Sequence, residues 1–524
     1  MIISPVVLLI LDGWGFSRNY RGNAIYDAYT PAIDRICAFH PSLTLQASGF
    51  SVGMIWGEPG NSATGHACLG AGRIVYNHLP RILREIQSGN FFDNPVLRGA
   101  IAHVQKNRSV LHIAGLVSGA TTHSYLEHLY ALFELARRHN TPAALHVFTD
   151  GRDSAPRQAA QLLEALEERI AEGAYPVRIT TVLGRSYAMN RTGAWDYTQR
   201  AYEALTGEGA VAVASLPQHI RQQYERGVTD EFIASARISP TLPAAYDRIG
   251  DNDAVIFFNF REDSMRQLLE AFAKEDFTGF ARTPLRNCYV ATFTEYEKGL
   301  PVGIAFPAPE NVNCLSEVLS HAGVKQLKIA ESQKAAHVTY FFNGGREEPF
   351  PFEDRTIHPS GQAGGAENPD MQAEHICESV VRAIERTAYE CIVANLPNAD
   401  IAAHTGNYRA TLRAVEAVDR AVEKIYQAIA HRRGALLITS DHGGAEEMFN
   451  SRTGDVKTGH SENPVPFYYV TSRNRFHAAR EEKELKRRNT QPLGVLSDVA
   501  PTILELLGVK KPPEMTGRSL LSLL

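Results

Sequence analysis

The sequence has few cysteines, six in 524 residues. Cys37, Cys68, Cys288, Cys314, Cys377 and Cys391 are scattered, and no two share a CxxC-like spacing. That pattern suggests neither a zinc–thiolate site nor a disulfide framework, so the six read as reduced, mostly buried thiols. Long apolar runs are missing as well: no stretch approaches the ~20 residues of a membrane span. The opening MIISPVVLLILDGWG has an apolar run from Val6 to Leu11, but no basic residue precedes it and an aspartate follows. This is wrong for a secretory leader, so a cytoplasmic location with no membrane partner is expected. Charge of one sign is also absent. Lys and Arg number 53 against 58 Asp and Glu, a net charge of −5. That balance argues against nucleic acid or an anionic membrane as the main partner and favours a small-molecule substrate. No internal repeat and no long low-complexity segment is seen, and the mixed-sign run RNRFHAAREEKELKRRN at 473–489 reads as a solvated helix or loop.

What is present is an ordinary globular composition, 44% apolar and 21% charged, in a chain long enough for two to four domains. Six short runs rich in β-branched residues stop at polar or glycine-rich turns: VVLLILDGWG, VLHIAGLVSG, ALHVFTDGRD, AVIFFNFRED, CIVANLPNAD and ALLITSDHGG. Each reads as a buried parallel strand. Between them lie helical periodicities such as Leu412, Val415, Val418, Val422, Ile425 and Ile429. Alternating strand and helix predict an α/β fold.

Charged residues sit where these runs end: Asp12, Asp150 with Asp153, Arg261, Asp400, and Asp441 with His442. The carboxyl ends of strands in open α/β sheets form the ligand crevice. An aspartate there can simply cap the next helix, but that explains several such ends plus histidines poorly. Asp400 and His404, four apart, share one face of a helical turn and can converge on a divalent ion. With Asp441, His442 and His460 they make the strongest cluster in the chain. Upstream, GNSATGH at 60–66 puts Ser62 among small residues, which suits a serine exposed at a turn before a helix, or an ordinary helix N-cap.

With these residues in view, the chain resembles cofactor-independent phosphoglycerate mutase, of the alkaline phosphatase-like superfamily, along nearly its whole length. The resemblance rests on LDGWG, GNSATGH, GAGRIVY, His123 with Ser124, DGRDS, GRSYAMNR, FNFRED, IAESQKAAHVTYFFNGG, NADIAAHTG, SDHGGAE, GHSENPVP and DVAPTILELLG, in that order. It implies two α/β domains, each a mainly parallel sheet flanked by helices. Residues 1–76 and 312–524 would form an alkaline phosphatase-like metal domain, and 77–311 an inserted substrate domain. It further implies two divalent ions, manganese. Asp400, His404 and His460 would hold one; Asp12, Ser62, Asp441 and His442 would hold the other. Ser62 would attack the phosphoryl group to give a phosphoserine, with Lys334 on the phosphoryl oxygens. His123, Arg152, Asp153, Arg185, Arg191 and Arg261 would bind the glycerate, Asp153 shuttling protons between its hydroxyls. Domain closure would exclude water from the phosphoserine, and the enzyme would be a monomer that interconverts 3- and 2-phosphoglycerate.

Departures from the family pattern cluster in the substrate half. Ser264 stands where a second arginine is usual, three residues after Arg261, and Arg266 does not occupy that place. Ser118–Tyr125 reads SGATTHSY instead of SDGGVHSH, Asn190 takes an acidic place, and Ala63 and Thr64 alter the serine motif. Losing a charge-assisted contact to an anionic substrate costs about 1.5–3 kcal/mol. Two readings follow. One is a divergent phosphoglycerate mutase with another cation compensating for Ser264. The other is the same metal core acting on a different phosphorylated or phosphonate acid, with the small Ser264 leaving room for a bulkier donor. A metal-dependent phosphohydrolase is a further alternative.

Overall fold

All six apolar runs form strands in the computed structural model, which describes residues 3–207, 209–238, 248–308, 311–361, 365–450, 452–480 and 491–524. The chain divides into two units, Met1–Asn77 with Glu310–Leu524 and His78–Pro309. In chain order, the first unit opens with β1 (Val6–Leu11) and β2 (Ser42–Gln46). The second unit contains β3 (Leu111–Val117), β4 (Ala143–Thr149), β5 (Val177–Gly184), β6 (Val211–Val213), β7 (Ala236–Ile238), β8 (Ala254–Phe257), β9 (Tyr289–Thr292) and β10 (Gly303–Ile304). The first unit resumes with β11 (Gln326–Glu331), β12 (Glu353–His358), β13 (Cys391–Leu396), β14 (Ala435–Thr439), β15 (Val465–Thr471) and β16 (Gly494–Val495). Three helices matter for the site: α1 (Ser62–Ala71), α2 (Asn398–His404) and α3 (Tyr408–Ala430).

Each unit is built on one eight-stranded sheet, ordered β12-β11-β13-β1-β14-β15-β2-β16 in the first and β10-β9-β8-β3-β4-β5-β7-β6 in the second. Most neighbours are parallel; β15 runs antiparallel to β14 and β2, and β7 runs antiparallel to β5. The six runs occupy the middles, β13-β1-β14 and β8-β3-β4, where helices cover both faces and strands are apolar but for a few polar side chains. β1 shows the alternation directly. Val7, Leu9 and Leu11 pack with Val415, Val418 and Ile425 of α3 on one face. Val6, Leu8 and Ile10 pack with Leu69 of α1 and with Ile503 and Leu504 on the other. Burying each large aliphatic chain contributes about 1.5–3 kcal/mol, which fixes the register of this strand firmly.

Among the described residues no helix is long and apolar enough to cross a membrane. All six cysteines are free, four of them buried. Of the mixed-sign run, residues 473–480 form an irregular loop, in which Arg480 donates to the Cys37 and His40 carbonyls. Residues 481–489 lie outside the described residues.

The second unit carries several buried histidines. His112 on β3 and His146 on β4 meet at 2.9 Å, and Asp253 lies 3.3 Å from the other side of His112. His128 is enclosed by the rings of Tyr125, Phe260 and Phe293. Burial pushes His146 well below its ordinary pKa and His128 down to about 3. Burial, and then the Arg185 guanidinium, lower His123 to about 4. These rings are neutral in the fold but titrate near 6.5 once unfolded, so the unfolded chain binds more protons between about pH 4 and 6.5. Their contribution to stability is complete above pH 6.5 and is lost as pH falls through that window, by up to ~1.4 kcal/mol per pH unit for each ring. Urea midpoints of the full chain are expected to drop between pH 7 and pH 5, and His128→Leu should flatten that slope by about one proton. An unchanged slope in the variant would contradict this account.

Candidate active site

Three adjacent strands of the first unit, β13, β1 and β14, bring their carboxyl ends together. Asp12 follows β1, Asp441 and His442 follow β14, and α2 carries Asp400 and His404 just beyond β13. Two glycines permit the close approach. Gly13, at φ 74°, lies where a Cβ would fall 2.8 Å from the Asp400 Cα. A Cβ on Gly65 of α1 would meet the Asp441 carbonyl oxygen at 2.5 Å.

Ser62 is the first residue of α1 and is not its cap. Asn61 caps the helix, accepting from the Thr64 N–H at 3.0 Å, while the Thr64 hydroxyl lies 3.4 Å from the Asn61 N–H. The departure at Thr64 thus completes a capping box, and the Ser62 hydroxyl is left for other work. Its Oγ lies 2.7 Å from Lys334 Nζ, 3.0 Å from His442 Nε2 and 3.2 Å from Asp12 Oδ1. Lys334 Nζ also lies 3.0 Å from Asp12 and 2.9 Å from Asp400. Burial opposes charge on Lys334, but Asp12, Asp400 and Asp441 hold the ammonium well above its ordinary range. For Asp441, burial is outweighed by the neighbouring His442, His66 and Lys334, which keep its carboxyl far below the usual range. Burial likewise disfavours charge on His442, yet Asp441, Asp12 and Asp400 push it up to about 10.

The donors fall into two overlapping groups, Asp400 with His442 and His460, and Asp12 with Asp441 and His442, each within 4.8 Å. His442 therefore stands between them. His404 borders the first group, its Nε2 being 3.1 Å from Asp400 Oδ1 and 3.1 Å from His460 Nε2. The donor chemistry fits divalent ions. His404, His442 and His460 each turn Nδ1 to a backbone carbonyl, of Thr458, Gly443 and Gly60 respectively. A carbonyl only accepts, so Nδ1 carries the proton and each Nε2 faces the carboxylates. Two Nε2 atoms 3.1 Å apart cannot both carry hydrogens between them. Among the described residues one buried oxygen, Asp441 Oδ2, accepts no hydrogen bond of good geometry, since its neighbour His66 Nδ1, 3.2 Å away, is spent on the Ser62 carbonyl. The negative potential that raises His442 is the field that attracts a divalent cation.

Three supporting residues went unassigned in the sequence. Asn395, the one polar side chain in its strand run, donates to Asp12 at 2.8 Å and lies 3.0 Å from His66. His66, in the serine motif, holds the Ser62 carbonyl at 2.8 Å and lies 3.2 Å from Asp441. Glu446, buried, accepts from the Gly15 and Gly444 N–H groups, the Ser461 hydroxyl and the Asn463 amide. It ties the loop after β1, the loop after β14 and the segment carrying His460.

In the second unit the residues expected to bind substrate form two clusters. The buried Arg185 lies 2.6 Å from both Asp150 and Asp153, and its second arm lies 3.0 Å from His123 Nε2. Arg191 and Arg261, both exposed, share Asp263. Arg152 stands apart, 3.9 Å from Glu231. Ser264 is buried beside His123, its Oγ 3.0 Å from Nδ1. Arg266, the nearby cation, instead donates to the Tyr296 carbonyl at 3.3 Å. Ser118 bonds Asp150, and Asn190 caps its own turn through the Thr192 N–H.

Comparison with known proteins adds the lineage. The Metalloenzyme superfamily model matches residues 4–511. A 2,3-bisphosphoglycerate-independent phosphoglycerate mutase of Thermosynechococcus vestitus is 43% identical over 520 residues, 99% of this chain and 96% of the relative. Phosphoglycerate mutase 1 of Methanosarcina acetivorans is 44% identical over 520 residues, 99% and 98% of the two chains. The solved phosphoglycerate mutase of Leishmania mexicana at low cobalt concentration is 27% identical, with a TM-score of 0.60 covering 99% of both chains. Identity above 40% along essentially the whole length places this chain in the 2,3-bisphosphoglycerate-independent phosphoglycerate mutase family of the Metalloenzyme superfamily.

Proposed function

We propose that the protein interconverts 3-phosphoglycerate and 2-phosphoglycerate through a phosphoserine at Ser62. The observation that carries this reading is the Ser62 hydroxyl held 2.7 Å from the Lys334 ammonium inside a pocket of convergent carboxylates and imidazoles. Ser62 would attack as the alkoxide, its proton released to solvent when the divalent ions bind, and Lys334 donates to Oγ and lowers the cost of negative charge on that oxygen as it attacks phosphorus. The phosphorus–oxygen bond to glycerate breaks as the bond to Ser62 forms. Glycerate then presents its other hydroxyl, which takes the phosphoryl group back and frees Ser62.

Asp153 moves the proton, giving one to the departing oxygen and taking one from the attacking hydroxyl. Its carboxylate is oriented by Arg185, 2.6 Å away. In this reading the second unit binds the substrate, His123, Arg152, Arg185, Arg191 and Arg261 holding its carboxylate and phosphate. The first unit is the metal domain. Asp400, His404 and His460 would hold one divalent ion and Asp12, Ser62, Asp441 and His442 a second, manganese in both. The ions supply charge neutralisation for the oxygens of the transferring phosphoryl group. The protein acts as a cytoplasmic monomer. A different phosphorylated or phosphonate acid, or net hydrolysis, is not favoured, because full-length relatives bear the mutase name.

A phosphorus NMR time course with 3-phosphoglycerate and manganese should show 2-phosphoglycerate without inorganic phosphate. Chelation with EDTA should abolish conversion, and added manganese should restore it, with cobalt as the comparison ion. Inorganic phosphate alone, or an unchanged spectrum with metal bound, would overturn the reading.

A further inference from the structure

Ser264 faces His123 in a way that fixes the chemistry of that ring. His123 Nε2 lies 3.0 Å from Arg185 Nη2 and 3.3 Å from Asp153 Oδ2, which already accepts from Arg185; the nearer arginine N–H only donates, which makes Nε2 the accepting, unprotonated nitrogen and leaves Asp153 as the acceptor for the other tautomer. Nδ1 then carries the hydrogen and gives it to Ser264 Oγ at 3.0 Å. Ser264 passes its own hydrogen on to the Arg261 carbonyl at 3.4 Å. The polarity of the chain is set at both ends, by a group that can only donate and by one that can only accept. His123 and Ser264 are 4% and 2% exposed, so water offers no ready substitute for either bond.

We propose that Ser264 is a positioning residue: its hydroxyl holds His123 as the neutral Nδ1–H tautomer and thereby keeps the Arg185 guanidinium aligned for the anionic substrate. This rests on the mutase reading for its substrate, though not for its tautomer. A cation at position 264 could not serve, since it has no lone pair for Nδ1–H. Ser264 is thus a built part of a hydrogen-bond relay as well as a lost charge. The face of Arg185 turned to His123 is satisfied, and the same guanidinium is drawn on its other side to Asp150 and Asp153.

The test uses the full-length enzyme with nitrogen-15-labelled histidine, His123 being assigned by loss of its signals in His123→Gln. Wild type should show a protonated Nδ1 and an unprotonated Nε2 for His123. Ser264→Ala should mix the tautomers and raise KM for 3-phosphoglycerate about tenfold, with kcat changed less than about threefold. Ser264→Thr keeps the hydroxyl and should restore both the spectrum and KM. An unmixed tautomer in Ser264→Ala, or an unmoved KM, overturns the proposal. Should wild type fail to turn over 3-phosphoglycerate, the mutase reading falls and the imidazole spectrum alone decides the role of Ser264.

Discussion

Ser62→Ala is expected to abolish mutase turnover, lowering kcat by at least about four orders of magnitude, the scale seen when a covalent nucleophile is removed. No neighbour can replace it. Lys334, 2.7 Å from Oγ, is held protonated by the surrounding carboxylates, and Asp12 and His442 are ligand-type groups on the same oxygen. The variant should fold normally, because Asn61 carries the helix cap and the Ser62 side chain does not. Intact-mass analysis of substrate-treated wild type should show one added phosphoryl group, absent from the variant. A variant that retains a hundredth of wild-type turnover, or that still gains the phosphoryl mass, would rule out Ser62 as the nucleophile.

Glu446→Ala is expected to have the second-largest effect, and through architecture instead of bond-making. Its carboxylate takes the Gly15 and Gly444 N–H groups at 3.0 and 2.7 Å, and alanine leaves both buried without an acceptor. Each such group costs about 1–3 kcal/mol, and the lost Ser461 contact adds to them, so a destabilisation of about 3–5 kcal/mol is expected. Freed loops should also weaken divalent-ion binding by about 10- to 100-fold, as loss of outer-shell support does. Glu446→Gln discriminates. One amide oxygen still serves the two glycine N–H groups, while the amide nitrogen faces the Ser461 hydroxyl, which can rotate to accept, and the Asn463 amide, which loses this bond but keeps its bond to Glu447. Glutamine should therefore recover most of the stability and affinity. Urea midpoints and manganese titration calorimetry on both variants settle it, and equal losses in the two would contradict the carboxylate's role.

The most legible parts of the sequence were the middles of the sheets. β13-β1-β14 and β8-β3-β4 are covered on both faces, so apart from His112, His146, Thr149, Asn395 and Thr439 their residues are apolar and the runs stand out without any periodicity. The outer strands were missed because they are short or mixed: β6 is Val211–Val213, and β12 carries Asp354, Arg355 and His358. Asp400 and His404 could be paired from helical spacing alone. That Asp12 and Lys334 would meet at 3.0 Å could not, because nothing local links residues separated by an inserted unit. Family resemblance supplied that part. Ser264 marks the limit of the resemblance. Pattern comparison registers it as an arginine lost, whereas only coordinates show a hydroxyl accepting from His123. Arg266, the nearby cation, is exposed and turns its Nε–H to the Tyr296 carbonyl.

The position of β1 in its sheet has a consequence for the order of assembly on the ribosome. β1 leaves the exit tunnel well before both of its neighbours, for Val6 pairs with Cys391 on one side and Ala435 on the other. The strand carrying Asp12 therefore stays without neighbours while the whole of His78–Pro309 is synthesised, and that contiguous segment can complete its own sheet beforehand. The first unit closes only when the carboxyl-terminal third arrives, a pairing across long sequence separation that folds slowly. Six consecutive buried aliphatic residues waiting that long form an adhesive edge, so the nascent chain is more exposed to misassociation than the finished enzyme.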